Sequence, residues 1–133
     1  MHTKYSVSLQ KIIKDIGYEV LYMANQETDA YITTKELIRP GLILAGYEDY
    51  FDPERIQLLG LTEIGYLNGL SVSQRQQCLE RYMSTHPAAI VITRNLDPVD
   101  GLLEAAEKYN VPVLRTSDST SANMSALISY LGV

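Results

Sequence analysis

Tryptophan is absent from this chain, phenylalanine occurs once and cysteine once. A lone thiol, Cys78, forms no internal disulfide, so the oxidised framework of a small secreted scaffold is excluded and a reducing cytoplasm is the expected setting. Cys78 reads as a small core residue on a helix, without an evident basic partner to activate it. Histidine is nearly as scarce. His2 sits in a terminus expected to fray, and His86 precedes Pro87 with no Cys or His neighbour at metal-ligand spacing, so no metal site is expected. Basic charge is in deficit, with 11 Lys and Arg against 16 Asp and Glu and a net charge of −5, which argues against nucleic acid as a partner. No apolar run approaches the ~20 residues of a membrane-spanning helix, and Met1-His2-Thr3-Lys4-Tyr5 lacks the apolar core of a signal peptide. Neither Gly-Lys-Ser nor Gly-Lys-Thr occurs, so the pattern of a phosphate-binding P-loop is missing. No Ser-His-Asp arrangement is assembled by spacing, and Asp97 and Asp100 read as helix-start charges. No catalytic residue and no cofactor of the chain's own is expected.

What is present suits one folded domain over residues 1–133. Tyrosine is abundant at ten residues, and its hydroxyl tolerates half-burial, which suits an interface. Leu9, Ile12, Ile13 and Ile16 follow helical spacing, with Gly17 as a stop. Tyr18 to Met23 reads as a strand, Asn25 to Asp29 as a turn, and Ala30 to Thr33 as a second strand. Thr33 or Thr34 is expected to cap a short helical turn through Leu37. Leu42 to Ala45 is too short for its period to separate helix from strand. Arg55 to Gly60 reads as a buried strand, and Thr62-Glu63 as a helix start.

The second half is more regular. Ser71-Val72-Ser73-Gln74 has the form of a capping box, followed by a helix expected to bury Val72, Leu79 and Met83. Ala88 to Thr93 is a continuous apolar strand, as in a sheet covered on both faces. Asp97-Pro98 predicts the cap and first position of the next helix, with Val99, Leu102, Leu103 and Ala106 buried. Val111 to Leu114 is another short strand. Met124, Leu127, Ile128 and Leu131 predict the apolar stripe of a last helix stopped at Gly132. Alternation of strand and helix from Ala88 to Leu131 implies parallel pairing, so the expected fold is α/β: three layers, with a mostly parallel sheet flanked by helices.

In such a sheet ligands gather at the carboxyl ends of the strands. Two polar loops qualify, Thr93-Arg94-Asn95 and Thr116-Ser117-Asp118-Ser119-Thr120. If their strands are adjacent, Thr93, Arg94, Asn95, Thr116, Ser117 and Thr120 converge, and hydroxyls, a guanidinium and helix amides suit a phosphate or carboxylate. The alternative is that Asp118 or Ser119 only caps the last helix and Arg94 is solvated.

The densest signal lies between Arg39 and Glu63, RPGLILAGYEDYFDPERIQLLGLTE. Arg39-Pro40-Gly41 interrupts regular structure, Gly46 and Gly60 read as turn residues, and Arg55-Ile56-Gln57 leads to Thr62-Glu63. Arg39 and Arg55 either clamp nearby carboxylates or face a ligand. This segment, continued by His86-Pro87-Ala88-Ala89-Ile90-Val91-Ile92-Thr93-Arg94 and by Val111 to Thr116 and Thr120, resembles the N-terminal domain of HPr kinase/phosphorylase.

The resemblance implies an α/β fold similar to the substrate-binding domain of muramoyl-peptide ligases. It implies a parent enzyme that phosphorylates and dephosphorylates a serine of HPr, with ATP or pyrophosphate and magnesium, in carbon catabolite repression. That activity resides in a C-terminal P-loop domain that this sequence lacks, so HPr is the partner of that other domain. The parent assembles as a hexamer, so a homo-oligomer is expected. The chain is therefore expected to be a piece of a longer protein, a natural stand-alone form being the alternative. A metabolite-sensing module is the competing reading of its role.

Overall fold

The computed structural model describes residues 5–24 and 30–132. The turn expected at 25–29 and the terminus around His2 lie outside them. The chain opens with β1 (Val7–Ser8), α1 (Leu9–Ile16), β2 (Glu19–Tyr22), β3 (Tyr31–Ile32) and β4 (Leu37–Ile38). It continues with α2 (Gly41–Leu44), β5 (Ile56–Leu59), α3 (Leu61–Asn68), α4 (Val72–Met83) and β6 (Ala89–Ile92). It ends with α5 (Leu102–Tyr109), β7 (Val113–Arg115) and α6 (Thr120–Gly132).

Five strands form one sheet in the order β2-β7-β6-β5-β4. The four strands from β4 to β7 are mutually parallel, and β2 joins β7 antiparallel at one edge. The sheet is thus mixed and mostly parallel, as the strand–helix alternation predicts. β1 and β3 form a separate antiparallel ribbon.

All of β5 and β6 is buried, so successive residues supply two cores. Leu59, Ile90 and Ile92 pack with α2, α3, α4 and α5, through residues such as Leu44, Leu67, Leu79, Met83 and Leu102. Ile56, Leu58, Ala89 and Val91 pack on the other face with Leu9 and Ile12 of α1, Ile32 of β3, and Leu127 and Leu131 of α6.

Several local signals act as their chemistry demands. Ser8 Oγ accepts from the Lys11 amide at 3.3 Å, and Gly17, at φ 89°, closes α1 by donating to Ile13 O at 2.9 Å. Ser71 and Gln74 exchange reciprocal bonds of 3.2 and 3.3 Å at the start of α4.

Others are overridden. No helix follows Thr34; its hydroxyl accepts from the Glu36 amide at 3.2 Å, and the chain enters strand β4. Leu42 to Ala45 resolves as the one-turn helix α2 with its cap. Val72 is 64% exposed at the first position of α4, and the buried stripe is Cys78, Leu79, Tyr82 and Met83. Asp97-Pro98 does not start α5. Gly101, at φ 91°, sits at the cap, a backbone state that breaks any helix begun at Pro98. Val99 is still buried, as a loop residue. In α6, Leu127 and Leu131 are buried and Met124 is half-buried against the same core, as expected, but Ile128 is exposed, and Thr120 and Asn123 join the buried face. α6 also runs through Gly132.

Candidate functional site

The carboxyl ends of β5, β6 and β7 lie side by side, and the ladder continues past each strand. Thr93 donates its amide to Leu59 O at 3.0 Å, and Thr116 donates to Ile92 O at 2.9 Å. Arg94 and Asn95 then adopt left-handed backbone, with φ of 59° and 51°. Their amides turn onto the neighbouring loop, Arg94 to Asp118 O at 2.8 Å and Asn95 to Thr116 O at 2.9 Å. The two polar loops are therefore joined main chain to main chain. Their left-handed turn is the geometry that lets two consecutive amides reach one neighbour.

Beneath these loops lies a buried hydroxyl pair. Thr93 Oγ1 and Thr120 Oγ1 are 2.7 Å apart and shielded from solvent. Gly60, at the end of β5, presses against them. A Cβ placed there would meet Thr120 Oγ1 at 2.5 Å, Arg39 Nη2 at 3.0 Å and Thr93 Oγ1 at 3.5 Å. Glu63, only 4% exposed, organises the same corner: one carboxylate oxygen accepts from the Gly60 amide at 2.7 Å and from Arg39 Nη2 at 3.0 Å. Thus Arg39, Gly60 and Glu63 of the dense segment meet Thr93 and Thr120 of the polar loops. The Arg39 side chain remains 40% exposed.

The other residues of that segment go elsewhere. Arg55 stands at the amino end of β5, the opposite edge of the sheet, paired with Glu36 at 2.8 Å and Asp52 at 3.5 Å. Gln57 is buried under α4 and accepts from the Tyr82 hydroxyl at 2.6 Å. Pro40 is the buried cap of α2, Gly41 opens it, and Gly46 turns the chain after it at φ 105°. Thr62 is exposed on α3. In the second loop, Thr116 Oγ1 accepts from the Asp118 amide at 3.2 Å, and Ser117 is exposed. Ser119 caps α6, its hydroxyl accepting from Ala122 N at 3.1 Å.

Two pairs at this end escape a linear reading. The Tyr18 hydroxyl donates to Asn123 Oδ1 at 2.6 Å, and burial together with the charge of Asp118 pushes its phenol well up. Arg115 grips Glu19 with two bonds of 2.8 and 3.2 Å, which hold the Glu19 carboxyl below the usual carboxylate range. Glu19 and Arg115 are direct cross-strand partners. Only knowledge that β2 pairs antiparallel with β7 would have found them.

The two threonine hydroxyls bond each other, Glu63 is engaged with Gly60 and Arg39, and no base addresses a nucleophile there. Cys78 is buried, its thiol donates to Leu44 O at 3.3 Å, and burial pushes its pKa up. Among the described residues no group of three or more His, Cys, Asp or Glu is placed to hold a metal, and no helix is long and apolar enough to cross a membrane.

Residues 7–131 match the family described as HPr Serine kinase N terminus. The chain belongs to that family. Relatives include the HPr kinase/phosphorylase of Lactococcus lactis subsp. lactis (strain IL1403), 36% identical over 126 residues, which cover 95% of this chain and 41% of that protein. The HPr kinase/phosphorylase of Caldicellulosiruptor bescii is 35% identical over 127 residues, covering 96% and 41%. That of Alkaliphilus metalliredigens is 38% identical over 126 residues, covering 95% and 40%. The chain therefore spans about two-fifths of the length of these curated relatives.

A solved structure shares the fold with a TM-score of 0.62 at 17% identity, over 93% of this chain and 46% of the other. It contains the CBS and DRTGG domains of the regulatory region of Clostridium perfringens pyrophosphatase, complexed with the activator diadenosine tetraphosphate. At that identity the likeness speaks for the fold alone.

Proposed function

We propose that this chain is the non-catalytic, assembly or regulatory N-terminal domain of a bifunctional HPr(Ser) kinase/phosphorylase. The parent protein would phosphorylate and dephosphorylate HPr in carbon catabolite repression, with ATP and magnesium bound by a C-terminal domain, as a cytoplasmic homo-oligomer. The observation that carries this reading is the family match over residues 7–131 in a sequence with no P-loop pattern. The closed chemistry of the Thr93–Thr120 corner supports it. The same reading takes the sheet and its two covered faces as a three-layer fold similar to the substrate-binding domain of muramoyl-peptide ligases. Incubation of the chain with HPr, magnesium and ATP, followed by mass spectrometry for phosphoserine, tests it. No phosphorylation is expected; robust transfer overturns the assignment of catalysis to another domain.

A second reading, a small-anion or metabolite sensor, is favoured by one observation: the two polar loops are bonded to each other through Arg94 and Asn95. In that reading Thr93, Arg94, Asn95, Thr116, Ser117 and Thr120 frame the ligand. Thermal-shift measurements with phosphate, pyrophosphate and sugar phosphates test it, because a ligand selective for the folded state raises its stability. A stabilisation that survives Arg94→Ala combined with Thr116→Val places the ligand elsewhere.

A further inference from the structure

A groove of about 280 Å³ runs beside the edge strand β4. Ile38, Pro40, Leu42, Tyr47, Tyr50 and Phe51 supply its apolar lining, and Arg39 and Asp49 its polar wall. The volume lies at the lower limit of the range of about 300–1,000 Å³ usual for small-molecule sites and is large enough to admit one inserted side chain. The surrounding surface is apolar in a way a solvated loop has no use for. Leu42 is 69% exposed, Tyr47 51% and Tyr50 96%. Tyr50 is held out in left-handed backbone at φ 62°, a conformation unfavourable for a bulky residue. Exposed aromatics grouped around a concavity are the composition of a contact core.

Charge decides what occupies it. Glu48, Asp49, Asp52 and Glu54 fall within residues 48–54. Arg81 meets Glu48 at 3.9 Å, and Arg55 meets Asp52 and Glu36. Asp49 and Glu54 have no cationic partner among the described residues, and the groove's own Arg39 is engaged by Glu63. The rim therefore carries uncompensated negative charge. A second copy docking through the same face would set acid against acid, which disfavours it.

We propose that this groove docks a partner segment in which an apolar anchor residue is flanked by Lys or Arg. The anchor enters between Leu42 and Tyr47, and the flanking cation meets Asp49. This goes beyond the role proposed above by naming a surface and the chemistry of its partner. It stands or falls separately from the HPr phosphorylation test.

The test uses the isotope-labelled full chain and three acetylated pentapeptides, alternating lysine with leucine, glutamate with leucine, and lysine with serine, followed by amide chemical shifts. The lysine–leucine peptide is expected to shift resonances of residues 38–51 saturably, with an affinity about tenfold or more above the other two, the scale of one desolvated anchor or one well-placed charge. Leu42→Ser is expected to weaken it about tenfold, and Asp49→Lys to shift preference toward the glutamate–leucine peptide. Both positions are exposed, so neither change threatens the fold. Equal affinity for the lysine–leucine and glutamate–leucine peptides, equal affinity for the lysine–serine peptide, or shifts mapping outside this surface would each overturn the proposal. So would sedimentation showing the face buried in a dimer that Leu42→Ser dissociates.

Discussion

Replacing Gly60 by alanine adds one methyl group at a corner with no room for it. The Gly60 backbone is extended, at φ −107° and ψ −161°, so alanine adopts it without strain and the whole effect is steric. The new carbon would lie 2.5 Å from Thr120 Oγ1 and 3.0 Å from Arg39 Nη2. Thr120 is buried and its hydroxyl is held by Thr93, so it does not yield freely; Arg39 Nη2, the end of a 40% exposed side chain, can shift, and the clash with Thr120 sets the cost. Overpacking of this kind costs about 1–3 kcal/mol. Separation of the threonine pair adds about 0.5–1.5 kcal/mol for a lost hydrogen bond. The expected destabilisation is therefore about 2–4 kcal/mol, read as a lower urea midpoint at an unchanged m-value. For a chain of this length it corresponds to a fall in Tm of about 4 °C per kcal/mol. Thr120→Ala removes the clashing oxygen, so the double variant should be more stable than the sum of the two losses by about 1–2 kcal/mol. Gly65, in the middle of α3 with nothing near its missing side chain, is the control, and Gly65→Ala should stabilise by about 0.5–1 kcal/mol. A Gly60→Ala variant as stable as the parent, or strict additivity with Thr120→Ala, would refute the reasoning.

Glu63→Ala should cost about 1.5–3 kcal/mol, because it strips the Gly60 amide of its acceptor while the half-exposed Arg39 regains water; chemical denaturation reads this directly. Arg55→Met should cost no more than about 1 kcal/mol, since its carboxylate partners face solvent, and Arg94→Met should cost less still; equal midpoints for Glu63→Ala and Arg55→Met would contradict the ordering. Acid should destabilise the fold. Bonds from Tyr130 and Lys11 to Asp15, from Arg115 to Glu19, and from Lys108 and Tyr109 to Glu80 all hold carboxyls below their ordinary values. Their folded pKa values are depressed, so their contribution is full above the unfolded values of about 4 and is lost as pH falls through the folded ones. A Glu19→Gln, Glu80→Gln variant should show a shallower loss of Tm between neutral and acid pH.

Where a signal was satisfied within a few residues of itself, the sequence was a sufficient guide. The capping box at Ser71, the Gly17 stop and the alternating cores of β5 and β6 depend on near neighbours and on burial, and all are present. Signals failed where another residue, near or distant, competed. Thr34 caps a turn instead of a helix because its segment is claimed as an edge strand by β5. Asp97-Pro98 has the local form of a helix start, yet Gly101 sets the boundary. In α6 the apolar positions Met124, Leu127 and Leu131 do pack against the core, whereas the buried Thr120 and Asn123 carry no apolar signal. Thr120 and Asn123 are buried where Thr93 and Tyr18, 27 and 105 residues away in sequence, meet the Thr120 hydroxyl and the Asn123 Oδ1, while Asn123 Nδ2 has no protein partner. The convergence of the two polar loops followed from the order of strands, whereas the entry of Arg39, Gly60 and Glu63 into the same corner did not. Their spacing looked like loop punctuation, and only the contact across β5 and β6 gives it a purpose.

That contact also separates two kinds of polar residue that composition cannot tell apart. At the carboxyl end of β5 to β7, Thr93 and Thr120 close hydroxyl to hydroxyl and Glu63 closes on an amide and a guanidinium, while the buried Asn123 Nδ2 has no protein partner. Such a corner is costly to disturb and sets the relative positions of three strands and two helices. Tyr47, Asp49, Tyr50 and Glu54 are the reverse, all exposed, with Asp49 and Glu54 lacking a cationic partner among the described residues. A charge without a partner and an aromatic in water contribute little to the stability of the domain itself. Substitutions at the first surface should therefore act on folding, and substitutions at the second on association. This division lets a denaturation curve and a binding isotherm, measured on the same variants, assign each residue to one role.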